Sequence, residues 1–106
     1  HSLSDLYLSV ITLGELHFGA QKSQAQTKAL KVVQQLAQMA QVAYLDDNVA
    51  IHYADIRYQL HKQGNMIGNN DLWLAAHARA NDWIMVTNNE KEFVRVQGLK
   101  VENWTK

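Results

Sequence analysis

The stretch Asp71-Leu72-Trp73-Leu74-Ala75-Ala76-His77-Ala78-Arg79-Ala80-Asn81-Asp82-Trp83-Ile84-Met85-Val86-Thr87 decides the fold class. As far as about Asn81 it is rich in alanine, which favours a helix that can pack closely, with Asn69 or Asn70 as its cap. From Trp83 to Thr87 it turns short, apolar and β-favouring, which reads as a buried strand, and Asn88-Asn89 breaks that strand. A helix handing over to a buried strand is the unit of a parallel α/β sheet.

The same alternation extends in both directions. Upstream, Leu6-Tyr7-Leu8-Ser9-Val10-Ile11 reads as a strand, and Thr12 with Glu15 forms a capping-box pattern that opens a helix to about Ala20. Between Ala25 and Gln41 the apolar Ala29, Leu30, Val33, Leu36, Ala37 and Ala40 recur at helical spacing. Val42-Ala43-Tyr44-Leu45 is a second short strand. Asp46-Asp47-Asn48 then supplies cap chemistry for a helix whose inner face carries Val49, Tyr53, Ile56 and Leu60, and Gly64 ends it. Downstream, a single turn around Glu92-Phe93 leads through Gly98 to a last strand, Leu99 to Asn103, with Trp104 beyond it. The expected architecture is a three-layer α/β fold, a short central parallel sheet flanked by helices, in one domain over residues 1–106.

Bulk properties narrow the function. The chain has 106 residues, 47% of them apolar, enough for a core without covalent staples. It has no cysteine, which removes disulfides and thiolate metal sites together. No apolar run approaches the roughly 20 residues that span a bilayer, and no basic-then-apolar leader opens the chain, so a cytoplasmic protein without a membrane partner is expected. Lys plus Arg and Asp plus Glu stand at 10 each, a formal net charge of zero. Composition therefore offers no support for nucleic-acid binding, which would need a local basic patch. His1-Ser2 reads as a tag remnant or the interior of a longer product, and His1 is set aside.

In parallel α/β folds, ligands sit outside the carboxyl ends of the strands. That rule selects Glu15 past the first strand, Asn88, Asn89 and Glu92 past the third, and Asp71 at a helix start. A carboxylate at a helix N-terminus is held ionised by the dipole. If other carboxylates crowd it, their repulsion calls for a cation, and magnesium or manganese suits an all-oxygen set. Taken alone, Asp71 reads equally well as a helix cap, and Glu15 as a member of its capping box. The histidines offer no pair at the three- or four-residue spacing of zinc helices. A nucleophile elbow and a glycine-rich phosphate loop are both missing. Asp46-Asp47 reads as capping, and Trp73, Trp83 and Trp104 as core or interface anchors.

Three blocks carry a resemblance. Ile67-Gly68-Asn69-Asn70-Asp71-Leu72-Trp73-Leu74-Ala75-Ala76-His77-Ala78 resembles the segment around the third catalytic acid of PIN-domain ribonucleases of the VapC toxin family. Val86-Thr87-Asn88-Asn89-Glu90-Lys91-Glu92-Phe93, followed by Val96-Gln97-Gly98-Leu99 and Val101-Glu102-Asn103-Trp104, is similar to that family's closing block. Ser9-Val10-Ile11-Thr12-Leu13-Gly14-Glu15-Leu16 with Gly19-Ala20 is similar to its second acidic block. The blocks fall in the family's order and spacing over essentially the whole chain.

The resemblance implies RNA cleavage by water attack at a cluster of acids around magnesium or manganese, with Glu15 as second acid and Asp71 as third. The fourth acidic position falls on Asn89, and Glu92, three residues on, is expected to restore the missing charge. It also implies a small protein antitoxin as partner. The family's opening strand, which ends in Asp-Thr-Asn and supplies the first metal ligand, has no counterpart here. Asp5 precedes the strand leading to Glu15 and does not replace that ligand. The gap is expected to be covered by a second copy, as a homodimer, or by a partner. Lys91, Arg95 and Lys100 are candidates for guiding RNA, or else solvated surface charge. Two other readings stay open: a non-catalytic module that dimerises or binds an antitoxin, and a nuclease acting on DNA.

Overall fold

The computed structural model describes residues 6–103. Trp104 and Asp5 lie outside them. The chain divides into two compact units, one ending at Tyr44 and the other beginning at Leu45.

In the first unit, strand β1 (Tyr7–Ser9) runs directly into helix α1 (Val10–Lys22), and helix α2 (Gln26–Met39) leads to strand β2 (Gln41–Ala43). β1 and β2 pair in parallel, Tyr7 opposite Gln41, Leu8 opposite Val42 and Ser9 opposite Ala43. The expected strand from Leu6 to Ile11 is therefore too long, and the capping box at Thr12 does not form. Ser9 is the cap: its Oγ accepts from the Ile11 N–H at 3.2 Å, so the helix begins at Val10 and encloses both Thr12 and Glu15. A hydroxyl that satisfies an orphan N–H outweighs the β-preference of Val10 and Ile11. Leu8, Ala20, Val33 and Ala40 are the buried apolar residues of this unit.

The second unit contains helix α3 (Asp47–Lys62), helix α4 (Asn69–Ala80), strand β3 (Ile84–Val86), the single-turn helix α5 (Glu90–Phe93) and strand β4 (Lys100–Glu102). Asp46 caps α3, its Oδ1 accepting from the Val49 N–H at 3.1 Å. The other end closes as expected on Gly64, at φ 64°. There the Asn65 N–H reaches the Leu60 carbonyl and the Gly64 N–H the His61 carbonyl, the paired bonds of a Schellman motif. The cap of α4 is Gly68, not Asn69 or Asn70, and with no side chain at the cap the first helical bond runs from the Leu72 N–H to the Gly68 carbonyl.

α4 packs on α3 through Leu72, Ala75 and Ala76, all at or below 1% exposure, and these join Val49, Ile56, Leu60, Ile67, Phe93 and Val96 in one core cluster. Small alanine side chains allow that close approach. β3 and β4 pair in parallel, Ile84 opposite Lys100, Met85 opposite Val101 and Val86 opposite Glu102.

Among the described residues the parallel strands thus form two pairs and not one continuous sheet. Ile84 and Val86 are exposed where a strand covered on both faces was expected. No helix among these residues is long and apolar enough to cross a membrane.

Candidate functional site

Asp71 is the third residue of α4, where the helix dipole and the free N-terminal N–H groups favour a carboxylate. Asn89 and Glu92 follow β3, and α5 is held in place because Phe93, at 3% exposure, is sunk in the core beside them. The Asn89 N–H donates to Thr87 Oγ1 at 3.0 Å, which turns the chain out of the strand. The Asn89 side chain does not cap α5. Its Nδ2 donates instead to Glu92 Oε2 at 2.7 Å, while the Gly68 N–H donates to Glu92 Oε1 at 3.3 Å.

Asp71 closes the group. A β-carbon at Gly68 would lie 3.7 Å from Asp71 Oδ2, so both carboxylates border the same glycine. A hydrogen bond from the Asp71 carboxyl is the largest cause holding the Glu92 carboxyl below its ordinary 4.5. Burial, the next largest influence, opposes this, and the Asn89 amide, the Gly68 N–H and the Arg95 charge each add to the lowering. Two carboxyls close enough to share a proton are close enough to share a cation in its place.

The structure therefore brings Asp71, Asn89 and Glu92 together around Gly68. Glu15 lies in the first unit, exposed on α1. Among the described residues no three His, Cys, Asp or Glu side chains form a group able to hold a metal ion. His77 is a core residue at 1% exposure, tilted against Trp83 with ring centroids 5.1 Å apart. His52 Nδ1 accepts from Arg79 Nε at 2.8 Å. Of the candidate guiding cations, Lys100 pairs with Asp82 at 3.0 Å, Lys91 is exposed, and Arg95 donates to the Met66 carbonyl at 3.3 Å.

Comparison with known proteins places the chain in a family. The sequence model of the PIN domain matches residues 1–99. The chain belongs to the PIN-domain family. Among PIN-domain relatives it is 39% identical to the ribonuclease VapC2 of Haemophilus influenzae, over 92% of this chain and 74% of that protein. It is 41% identical to the tRNA(fMet)-specific endonuclease VapC of Shigella flexneri, again over 92% of this chain and 74% of the relative. Among solved structures, VapBC-1 from nontypeable Haemophilus influenzae superposes with a TM-score of 0.90 at 39% identity, covering 95% of this chain and 75% of that one.

Beside the acidic group lies a bracket that the sequence alone does not reveal. Tyr53, placed on the inner face of α3, donates its hydroxyl to Asn69 Oδ1 at 2.6 Å, receives Arg57 Nη1 at 2.9 Å and stacks on Trp73 at 3.8 Å. This bracket ties α3 to the first turn of α4, two residues from Asp71. The four-residue spacing of Tyr53 and Arg57 is plain in the sequence, but Asn69, the acceptor of the Tyr53 hydroxyl 16 positions on, is not marked by it.

Proposed function

We propose that this chain is an endoribonuclease of a toxin–antitoxin pair, hydrolysing RNA phosphodiesters with a magnesium or manganese ion bound by carboxylates. The observation that carries the reading is the convergence of Asp71 and Glu92 on Gly68, with Asn89 holding Glu92 by a 2.7 Å hydrogen bond. Membership of a family whose relatives include VapC ribonucleases supports it. The donor set fits a hard divalent ion: carboxylate oxygens with no sulfur or imidazole among them. Asp71 and Glu92 would hold the ion, Glu15 is proposed as a further acid, and Asn89 serves by fixing Glu92. Such an ion lowers the pKa of bound water and offsets phosphate charge.

The protein's own contribution is positional. The α4 N-terminus favours negative charge at Asp71, the Gly68 N–H and Asn89 amide fix both Glu92 oxygens, and Arg95 beside them offers positive charge to an incoming phosphate. The substrate is RNA, the partner is a small antitoxin, and the chain forms a homodimer in this reading.

A second reading is favoured by one specific observation: two carboxylates, not three, meet among the described residues. In that reading the chain is a non-catalytic module that dimerises or binds an antitoxin. Calorimetric titration with manganese separates the two. The nuclease reading expects a saturable site in the parent chain that is lost in Asp71→Asn, together with cleavage of single-stranded RNA in preference to DNA. Absence of any manganese site in the parent overturns it.

A further inference from the structure

A second cavity in the same unit has no part in the acidic cluster. It is a groove of about 240 Å³ between α3 and the segment after α5. Its floor is apolar, formed by Ile56, Leu60 and Val96, each at or below 4% exposure. Its rim is polar, with Gln59 and Gln63 one helical turn apart on α3 and Arg95 across from them.

One wall is braced by Arg79. Its Nε donates to His52, its Nη2 to Asp55 Oδ2 at 2.7 Å and its Nη1 to the Gln97 carbonyl at 3.1 Å, so its whole guanidinium fork is used to hold the wall. Arg95 is the link to the acidic cluster. Its backbone N–H donates to the Glu92 carbonyl at 3.4 Å, and its guanidinium donates to the carbonyl of Met66, two residues before Gly68. The groove and the carboxylates therefore share one cation at their border.

The occupant follows from these groups. Pockets for drug-sized ligands run to roughly 300–1,000 Å³, so this groove is sized for one heterocycle. Two amides that each donate and accept suit the edge of a flat ring, and the tightly packed floor closes the space beneath it. A guanidinium at the mouth suits the phosphate attached to such a ring. We infer that the groove lined by Gln59, Gln63 and Arg95 receives one unstacked nucleobase of the RNA strand whose backbone is cut at Asp71 and Glu92. The inference rests on the ribonuclease reading and adds to it a subsite for sequence preference.

The test uses the Asp71→Asn chain, expected to hold RNA without cutting it, and fluorescence anisotropy with an unstructured oligoribonucleotide. Abasic sites are placed at each position in turn. Binding is expected to weaken about fivefold, the effect of one or two hydrogen bonds, at one abasic position only. That position dependence is expected to vanish in Gln59→Ala/Gln63→Ala and in the single exposed Gln63→Ala, with circular dichroism unchanged. A matching oligodeoxyribonucleotide is expected to show the same position dependence at lower overall affinity. If the glutamine variants keep the full abasic sensitivity of their parent, the base pocket is wrong while the ribonuclease reading stands. If the parent binds no single-stranded RNA at all, the ribonuclease reading falls and this inference with it.

Discussion

The neighbours of Glu92 hold it ionised to lower pH than an isolated glutamate. The hydrogen bond from Asp71 is the largest, and the Asn89 amide, Gly68 N–H and Arg95 also favour the ionised form. A carboxyl depressed in the folded state contributes fully above its ordinary value of 4.5, and that contribution is lost as pH falls through the depressed folded value. Carbon-detected NMR of the Glu92 carboxyl should therefore give a titration midpoint below 4.5. In Asn89→Ala the midpoint should move up toward the ordinary value; an unchanged midpoint would show that the amide does nothing for Glu92. Glu92→Gln keeps the size and removes the charge. It is expected to weaken manganese about tenfold, near 1.4 kcal/mol, and an unchanged calorimetric affinity would remove Glu92 from the ligand set.

At the scale of elements, side chains at chain ends and crossings decide more than propensity does. Arg79 joins α4 to two residues of α3 and to the segment before β4 with a single planar fork. Lysine cannot reach three acceptors in that geometry. Arg79→Lys should lower stability by about 2 kcal/mol, the scale of a hydrogen bond to a charged group, read from urea unfolding. Asp46→Ala removes the α3 cap and should cost about 1 kcal/mol by the same measurement; no change would mean that water replaces the carboxylate there. The caps also show where local reading stopped. Asp46 and Gly64 were legible because each acts on its own helix. Ser9 is masked in the sequence by the capping-box pattern of Thr12 and Glu15, and Gly68 leaves no side-chain signal because it caps with backbone alone.

The whole molecule is two compact units of unequal cores. Leu72, at 1% exposure, sits in the core cluster of the second, and Leu72→Ala should cost about 2–5 kcal/mol in a denaturant melt. Large apolar side chains stay exposed in both units, including Phe18 and Val32 in the first and Ile51 and Tyr58 in the second. Exposed apolar surface of this kind is what a second copy covers in a dimer. Sedimentation equilibrium should accordingly find a dimer or larger species, and a well-folded monomer would contradict the homodimer.

Alternating helix and strand, parallel pairing and the identities of Asp71, Asn89 and Glu92 were set by local pattern: period, turn chemistry and motif order need only near neighbours. What only the tertiary structure decided was how those residues serve one another. The Asn89–Glu92 bond spans three positions, but that Gly68 joins Asp71 to Glu92 and that Arg95 reaches back to Met66 depend on contacts across tens of positions, which packing of Leu72 and Phe93 fixes. Neither helical nor strand periodicity encodes such distances, because burial of the core and not chain proximity brings these groups together.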